Sequence, residues 1–146
     1  MRERTVTGFT LLEMLIVIVV FAMLTTLSFP TMSRVYTHSR VNQAVVVVAH
    51  GLSQAASDAA RARKPIRIAR GADQKSITIS DRTSGTVLST IWLGPEAYQL
   101  DSVVFSASPV DLFPNGFTSN ALTVTLWARG YSRQVTMSRA GWVRTP

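Results

Sequence analysis

The sequence contains no cysteine, so no disulfide can staple it, even in a compartment where disulfides form. Its two histidines, His38 and His50, stand twelve positions apart with no partner His or Cys at metal-ligand spacing, which speaks against a transition-metal site. No Gly-x-Ser-x-Gly elbow occurs, and no Gly-rich phosphate loop follows a strand pattern. Carboxylates are few and scattered. Asp73, Asp81, Glu96, Asp101 and Asp111 fall among turns and strands as solvated surface groups, and the stretch SPVDLFPNG offers only Asp111 and Asn115, too few hard oxygens for calcium. These absences argue against an enzyme, a cofactor, a metal or a small-molecule substrate. Internal repeats, low-complexity tracts and an interdomain linker are missing too, so a single globular domain accounts for the last 80 or so residues.

What stands at the start is a long apolar run. FTLLEMLIVIVVFAMLTTLSF covers 21 positions from Phe9 to Phe29, and as a helix rising about 1.5 Å per residue it reaches roughly 30 Å, the thickness of a bilayer's hydrocarbon core. Its side chains are apolar on every face, which a buried core helix in a domain of this size rarely allows, and the expectation is a membrane-spanning segment. Arg2 and Arg4 would also suit the n-region of a secretory signal. However, Ser28-Phe29-Pro30-Thr31-Met32 lacks a small-x-small cleavage pattern, and the run is long for an h-region. The two arginines predict an N-terminus held on the cytoplasmic side, with residues 31–146 outside. Gly8 marks the border between charged leader and apolar run, where a peptidase at the inner face meets an unobstructed backbone. Glu13 interrupts the run, and a charge at such depth costs up to about 3 kcal/mol on insertion scales, so it calls for a function unless it simply reaches back to the surface.

Beyond Pro30 the pattern becomes amphipathic. Val41, Val45, Val48, Leu52, Ala55, Ala59 and Ala62 recur in steps of four and three, one stripe of a helix. Gly51 is a weak spot inside it, and Lys64-Pro65 ends it. Val45 to Val48 alone would also suit a strand, but the spacing and the Ala-rich flanks favour one long helix from Phe9 to about Arg63. The remainder alternates as strands: PIRIAR, SITIS, TVLSTIWL, YQLDSVVFSA, ALTVTLWA, YSRQVTMS and GWVRT, with a turn at Arg129-Gly130. Ser108 to Asn120, with two Pro and one Gly, reads as a loop with room for a short edge piece.

The opening residues TGFTLLEMLIVIVVF resemble the class III signal of type IV pilins and type II secretion pseudopilins, in which a short basic leader, a Gly, a Phe and Thr-Leu-Leu-Glu precede an apolar helix. The resemblance implies that a prepilin peptidase cuts between Gly8 and Phe9 and N-methylates the Phe9 amine. It further implies that Glu13 pairs with the N-terminal amine of a neighbouring subunit during assembly, and that Pro30 sits where pilin helices commonly kink. The order of elements, closing on a hairpin and a Gly-x-x-Arg tail, resembles the GspH/FimT family of minor pseudopilins and minor pilins. The lack of a C-terminal disulfide loop tilts the choice towards a minor subunit. The implied fold is α+β and pilin-like: leader 1–8, transmembrane or filament-core helix 9–29, amphipathic half-helix 30–63, and an exported β-rich domain 64–146 on an antiparallel sheet. The implied place is the bacterial inner membrane as a single-pass protein, N-terminus cytoplasmic and C-terminal domain periplasmic, assembled into a pilus or pseudopilus. The partners are the peptidase, other pilin or pseudopilin subunits and the membrane.

Charge leaves a second function open. Fifteen basic against eight acidic residues give +7, and loss of Arg2, Glu3 and Arg4 with the leader leaves +6. Arg61, Arg63, Lys64, Arg67 and Arg70 cluster at the helix end, where cations complement the macrodipole. Arg129, Arg133, Arg139 and Arg144 line the C-terminal hairpin, either as the solvated face of a strand or, with Trp127, Tyr131 and Trp142 nearby, as a track for a phosphate backbone. Some FimT-like minor pilins bind DNA through a C-terminal Gly-Arg-x-Arg motif. Here Gly141-Trp142-Val143-Arg144 keeps the Gly and the last Arg and places Trp where the first Arg would stand. The two readings are therefore an assembly subunit and a filament-borne DNA receptor.

Overall fold

In the computed structural model, residues 9–145 are described, with the side chains of residues 27–31 left out. One helix, α1, runs Leu11–Ala62. It begins on a cap that the sequence encodes: Thr10-x-x-Glu13 has the spacing of a capping box, and the Glu13 N–H donates to Thr10 Oγ1 at 3.2 Å. It ends where Arg63 turns into the left-handed region (φ 53°), ahead of Lys64 and Pro65.

The chain divides into two compact units, one reaching Tyr36 and the other starting at Thr37. In the first, the apolar side chains from Phe9 to Leu24 are exposed, Phe9 by 76 % and Phe21 by 72 %. Thr25 and Thr26 turn their hydroxyls back onto helix carbonyls, at 2.7 Å to Phe21 and 2.8 Å to Met23. No helix among the described residues is long and apolar enough to cross a membrane. This overturns the expectation that residues 9–29 form a single-pass transmembrane half. The inner-membrane placement, and the cytoplasmic and periplasmic sides derived from it, fall with it. The 21-residue count ran through polar positions. Between Glu13 and Thr25 the uninterrupted stretch is Met14 to Leu24, 11 residues, or about 16 Å of helix against a core of roughly 30 Å.

In the second unit, α1 buries Val41, Ala44, Val45, Val48, Leu52, Ala55 and Ala59. Ala62, the expected end of that stripe, is exposed, because it is the last helical residue. Eight strands follow: β1 Ile66–Arg70, β2 Ser76–Asp81, β3 Val87–Trp92, β4 Ser102–Phe105, β5 Val110–Leu112, β6 Leu122–Ala128, β7 Tyr131–Met137 and β8 Val143–Arg144. They form two antiparallel four-stranded sheets rather than one, ordered β3-β2-β1-β5 and β4-β6-β7-β8. Period-2 alternation supplies the inner faces: Ile66 and Ile68 on β1, Leu122, Val124 and Leu126 on β6, and Val135 and Met137 on β7 join the helix stripe in one core.

The segment read as a loop, Ser108 to Asn120, holds β5 and stitches the two sheets. Ile68 pairs with Val110 and Ile66 with Leu112. Opposite Arg67 stands Asp111, whose carboxylate accepts Arg67 Nε at 2.8 Å and lies 3.3 Å from Arg82 Nε. The Asp111 backbone also exchanges hydrogen bonds with Ser119, and Thr118 N–H donates to the Arg139 carbonyl beside the second sheet. Asp111, read from the sequence as a solvated surface carboxylate, is instead the acceptor of an ion-pair cluster. The side chain of Asp111 is 15 % exposed against about 40 % for its arginine partners, so solvent screens part of the interaction.

Hydrogen bonding from Arg67, and then the positive charge of Arg67 and Arg82, hold the Asp111 carboxyl below its ordinary 3.8 against the opposing effect of burial. A depressed carboxyl contributes stability above its ordinary value and loses it as pH falls through the folded value. Asp111→Asn is therefore expected to destabilise the domain by roughly 1–2 kcal/mol near pH 7. The difference from the parent chain should shrink below about pH 4, as measured by urea unfolding at a series of pH values.

Candidate functional site

The residues singled out in the sequence fall at two places. At the N-terminal place, Gly8 lies outside the described residues. Phe9 precedes α1 and Glu13 sits in its first turn, exposed. Pro30 falls within the helix span, and its side chain lies outside the described residues. Glu13 has a local reason to exist that sequence reading missed: a carboxylate in the first turn complements the helix dipole and completes the Thr10-x-x-Glu13 spacing. The signal was there in the four letters TLLE. The same turn leaves Glu13 surrounded by exposed Leu11, Leu12, Met14 and Leu15, so any partner that packs here meets a carboxylate set in apolar surface.

The second place is the sheet formed by β4, β6, β7 and β8, and here the four arginines do not form one stripe. Arg129 occupies the hairpin turn between β6 and β7, where it (φ 47°) and Gly130 (φ 79°) are both left-handed, the type I′ pattern. Its backbone N–H donates to the Asp101 carboxylate at 2.6 Å. Arg139 lies beyond the opposite end of β7, a strand of seven residues, so the two ends are separated by roughly 20 Å. Arg133 shares strand parity with Tyr131, Val135 and Met137 and faces the core side, with Nε buried and unpartnered. Close by, Tyr131 stacks on His38 of α1, ring centroids 3.8 Å apart. Arg144 pairs with Thr136 and points to the outer face. Alternation in sequence already placed Arg133 on the face of Val135 and Met137, a signal the sequence reading left unused.

What the structure does bring together is Arg139, Gly141, Trp142 and Arg144, in the tight turn between β7 and β8 and the strand after it. Gly141 N–H donates to the Ser138 carbonyl, Ser138 N–H to the Trp142 carbonyl, and Trp142 N–H to Ser138 Oγ. Trp142 is exposed by 73 %. Gly141 is fixed by two constraints. Its φ is 74°, and a Cβ there would collide with the Gly116 carbonyl of the stitching segment. At the helix end, Arg61, Arg63, Lys64 and Arg70 are exposed, while Arg67 is committed to Asp111. Among the described residues, no group of three or more His, Cys, Asp or Glu could hold a metal ion.

Residues 4–29 match the prokaryotic N-terminal methylation motif. A comparison with curated protein sequences finds no match. Among solved structures, the chain is similar to the type IV minor pilin FimU of Pseudomonas aeruginosa. The TM-score is 0.63 at 20 % identity, over 75 % of this chain and 90 % of that one. It is also similar to the minor pseudopilin EpsH of the Vibrio cholerae type 2 secretion system, with a TM-score of 0.60 at 13 % identity, over 73 % of this chain and 96 % of that one. The chain thus combines a class III prepilin methylation motif with the α+β pilin-like fold of minor pilins and minor pseudopilins.

Replacing Gly141 by Ala is expected to cost about 1–3 kcal/mol, since both the left-handed backbone and the Gly116 carbonyl oppose a Cβ. Thermal unfolding checks this. Arg144→Ala, on an exposed strand position, should stay within about 0.5 kcal/mol of the parent.

Proposed function

We propose that the chain is a minor pilin or minor pseudopilin: a non-catalytic subunit that helps initiate or cap a type IV pilus or a type II secretion pseudopilus. The observation that carries this reading is the pairing of a methylation motif at residues 4–29 with a helix whose apolar start is exposed on every side. Such a surface has no function in an isolated chain and is disfavoured in water. Packed among the equivalent helices of other subunits, it becomes a filament core.

In this reading a prepilin peptidase cuts between Gly8 and Phe9 and methylates the new amine. Glu13 then lies four residues from that amine, and its carboxylate offsets the positive charge of a neighbour as the helices pack. In an apolar bundle an unpaired partner would cost several kcal/mol, so the pair selects the register in which subunits join. Gly8, Phe9, Glu13 and Pro30 are the processing and assembly residues. Other pilin or pseudopilin subunits and the peptidase are the partners.

A second reading, binding of DNA, draws support from Arg139, Trp142 and Arg144 at one end of a sheet, beside Gly141. Two cations in reach of one strand of phosphates, with Arg129 and Arg133 directed elsewhere, make a small footprint.

Three measurements test these readings. Mass spectrometry of the protein from its host is expected to find a chain beginning at N-methyl-Phe9, and recovery of the intact leader would sink the assembly reading. With processing established, Glu13→Gln separates cap from charge pair. It retains the capping spacing but loses the charge, so it should impair filament incorporation as strongly as Glu13→Ala while leaving helix content unchanged. For DNA, log affinity against log salt should have a slope near −1.8 for two phosphates, and Trp142→Arg should steepen it. No binding at about 20 mM salt, where screening is weak, would retire the second reading.

A further inference from the structure

Each four-stranded sheet has two edges, and three of the four are short or covered. β5 has three residues and is bridged by Thr118 and bonded by Ser119; β8 has two residues; β4 has four. The fourth edge, β3, has six residues, VLSTIW, with no charge and no proline. Natural sheets blunt such an edge with Lys, Pro, a bulge or a cover, and of these β3 has only a bulge, at Leu88. Val87, Leu88 and Trp92 are exposed, Trp92 by 63 %. A register shift opposite Ile79 and Ser80 turns Leu88 out of the ladder. Leu88 thereby joins Ile91, Val47 and Gly51 in lining a groove of about 270 Å³ between β3 and α1. At Gly51 the Ile91 side chain of β3 packs against the helix backbone, in space that a Cβ would take.

Charge narrows the occupant. The molecule is basic by seven, yet three of its eight carboxylates sit around β3: Asp58 on the groove, and Asp73 and Glu96 on a cavity of about 630 Å³ at the Trp92 end, with Lys75 the cation there. Hydrogen bonds from the Ser76 hydroxyl and then the Lys75 N–H hold the Asp73 carboxyl below its ordinary value. An uncharged apolar edge with an acidic rim suits a segment that alternates apolar residues with Lys or Arg. The apolar side chains would enter the groove, and the cations would meet the rim and the face of Trp92.

We propose that the free edge of β3, with its groove and acidic rim, binds an extended basic segment of a neighbouring subunit as an added strand. This rests on the reading of the chain as an assembling subunit and names a contact apart from the N-terminal helix.

The probe is a ten-residue peptide alternating Val with Lys, with a Val/Glu peptide and an alternately N-methylated Val/Lys peptide as controls. The full chain is kept in solution with mild detergent. Hydrogen exchange read by mass spectrometry should show protection of residues 87–93 by the Val/Lys peptide at submillimolar concentration. The N-methylated form, which cannot complete a ladder, should give none. Glu96→Lys and Asp58→Lys, both outside the core, should each weaken the Val/Lys peptide two- to fivefold and strengthen the Val/Glu peptide. Equal protection by both charge types, or none by either at millimolar concentration, would overturn the proposal. So would concentration-dependent protection of residues 87–93 without peptide, which would make a second copy the occupant. Neither Gly8 nor Glu13 enters this measurement, so a failure here is distinct from a failure of processing or helix assembly.

Discussion

The structure depends on one stripe of small and branched side chains on α1. From Val41 to Ala59 every buried helix position is Val, Ala or Leu, a choice that lets strands approach closely while still excluding water. Removing such a stripe from water is worth roughly 25 cal/mol per Å² of apolar area, which is why strands from both sheets share a single cluster with it. Gly51 follows the same logic. It costs helix propensity, up to about 1 kcal/mol relative to Ala, and in exchange admits Ile91 of β3 against the helix backbone.

The same helix, nearer its start, obeys the opposite rule. Bulky apolar residues from Leu11 to Leu24 surround the axis with no stripe and no buried side. One covalent element thus has a half that completes its own domain and a half that the chain leaves uncovered. The unbroken apolar stretch between Glu13 and Thr25, Met14 to Leu24, is short of a bilayer crossing. Glu13 is both a helix-start residue and the lone acid of that surface, so in the proposed assembly stability and partner choice would meet in one side chain.

Much of this was legible in the sequence because periodicity reports local facts. Steps of three and four found the helix stripe, and alternation found the strands on both sides of the Arg129-Gly130 turn. Ala44 escaped because alanine suits either face, and Ala62 was overcounted because periodicity does not see where a helix ends. β5 was foreseen only as room for a short edge piece between Pro109 and Pro114; what holds it, pairing with β1 and an ion pair spanning 44 positions, was not legible. No local pattern encodes such a partner. Strand parity with Val135 and Met137 did encode the inward side of Arg133, a signal left unread, whereas no spacing could reveal that Asp111 takes Arg67 out of the basic cluster.

The most direct test of the central claim, that the exposed start of α1 is covered by the helices of other subunits, uses the absence of cysteine. Ile16→Cys gives the chain a single thiol in the middle of that surface. In cells assembling the filament, mild oxidation or a short bifunctional crosslinker should join this chain through residue 16 to another subunit carrying a cysteine in its own apolar helix. The crosslink should vanish when assembly is blocked. A residue 16 thiol that forms no crosslink and reacts with a water-soluble maleimide as fast as a free thiol, whether or not filaments assemble, would contradict it.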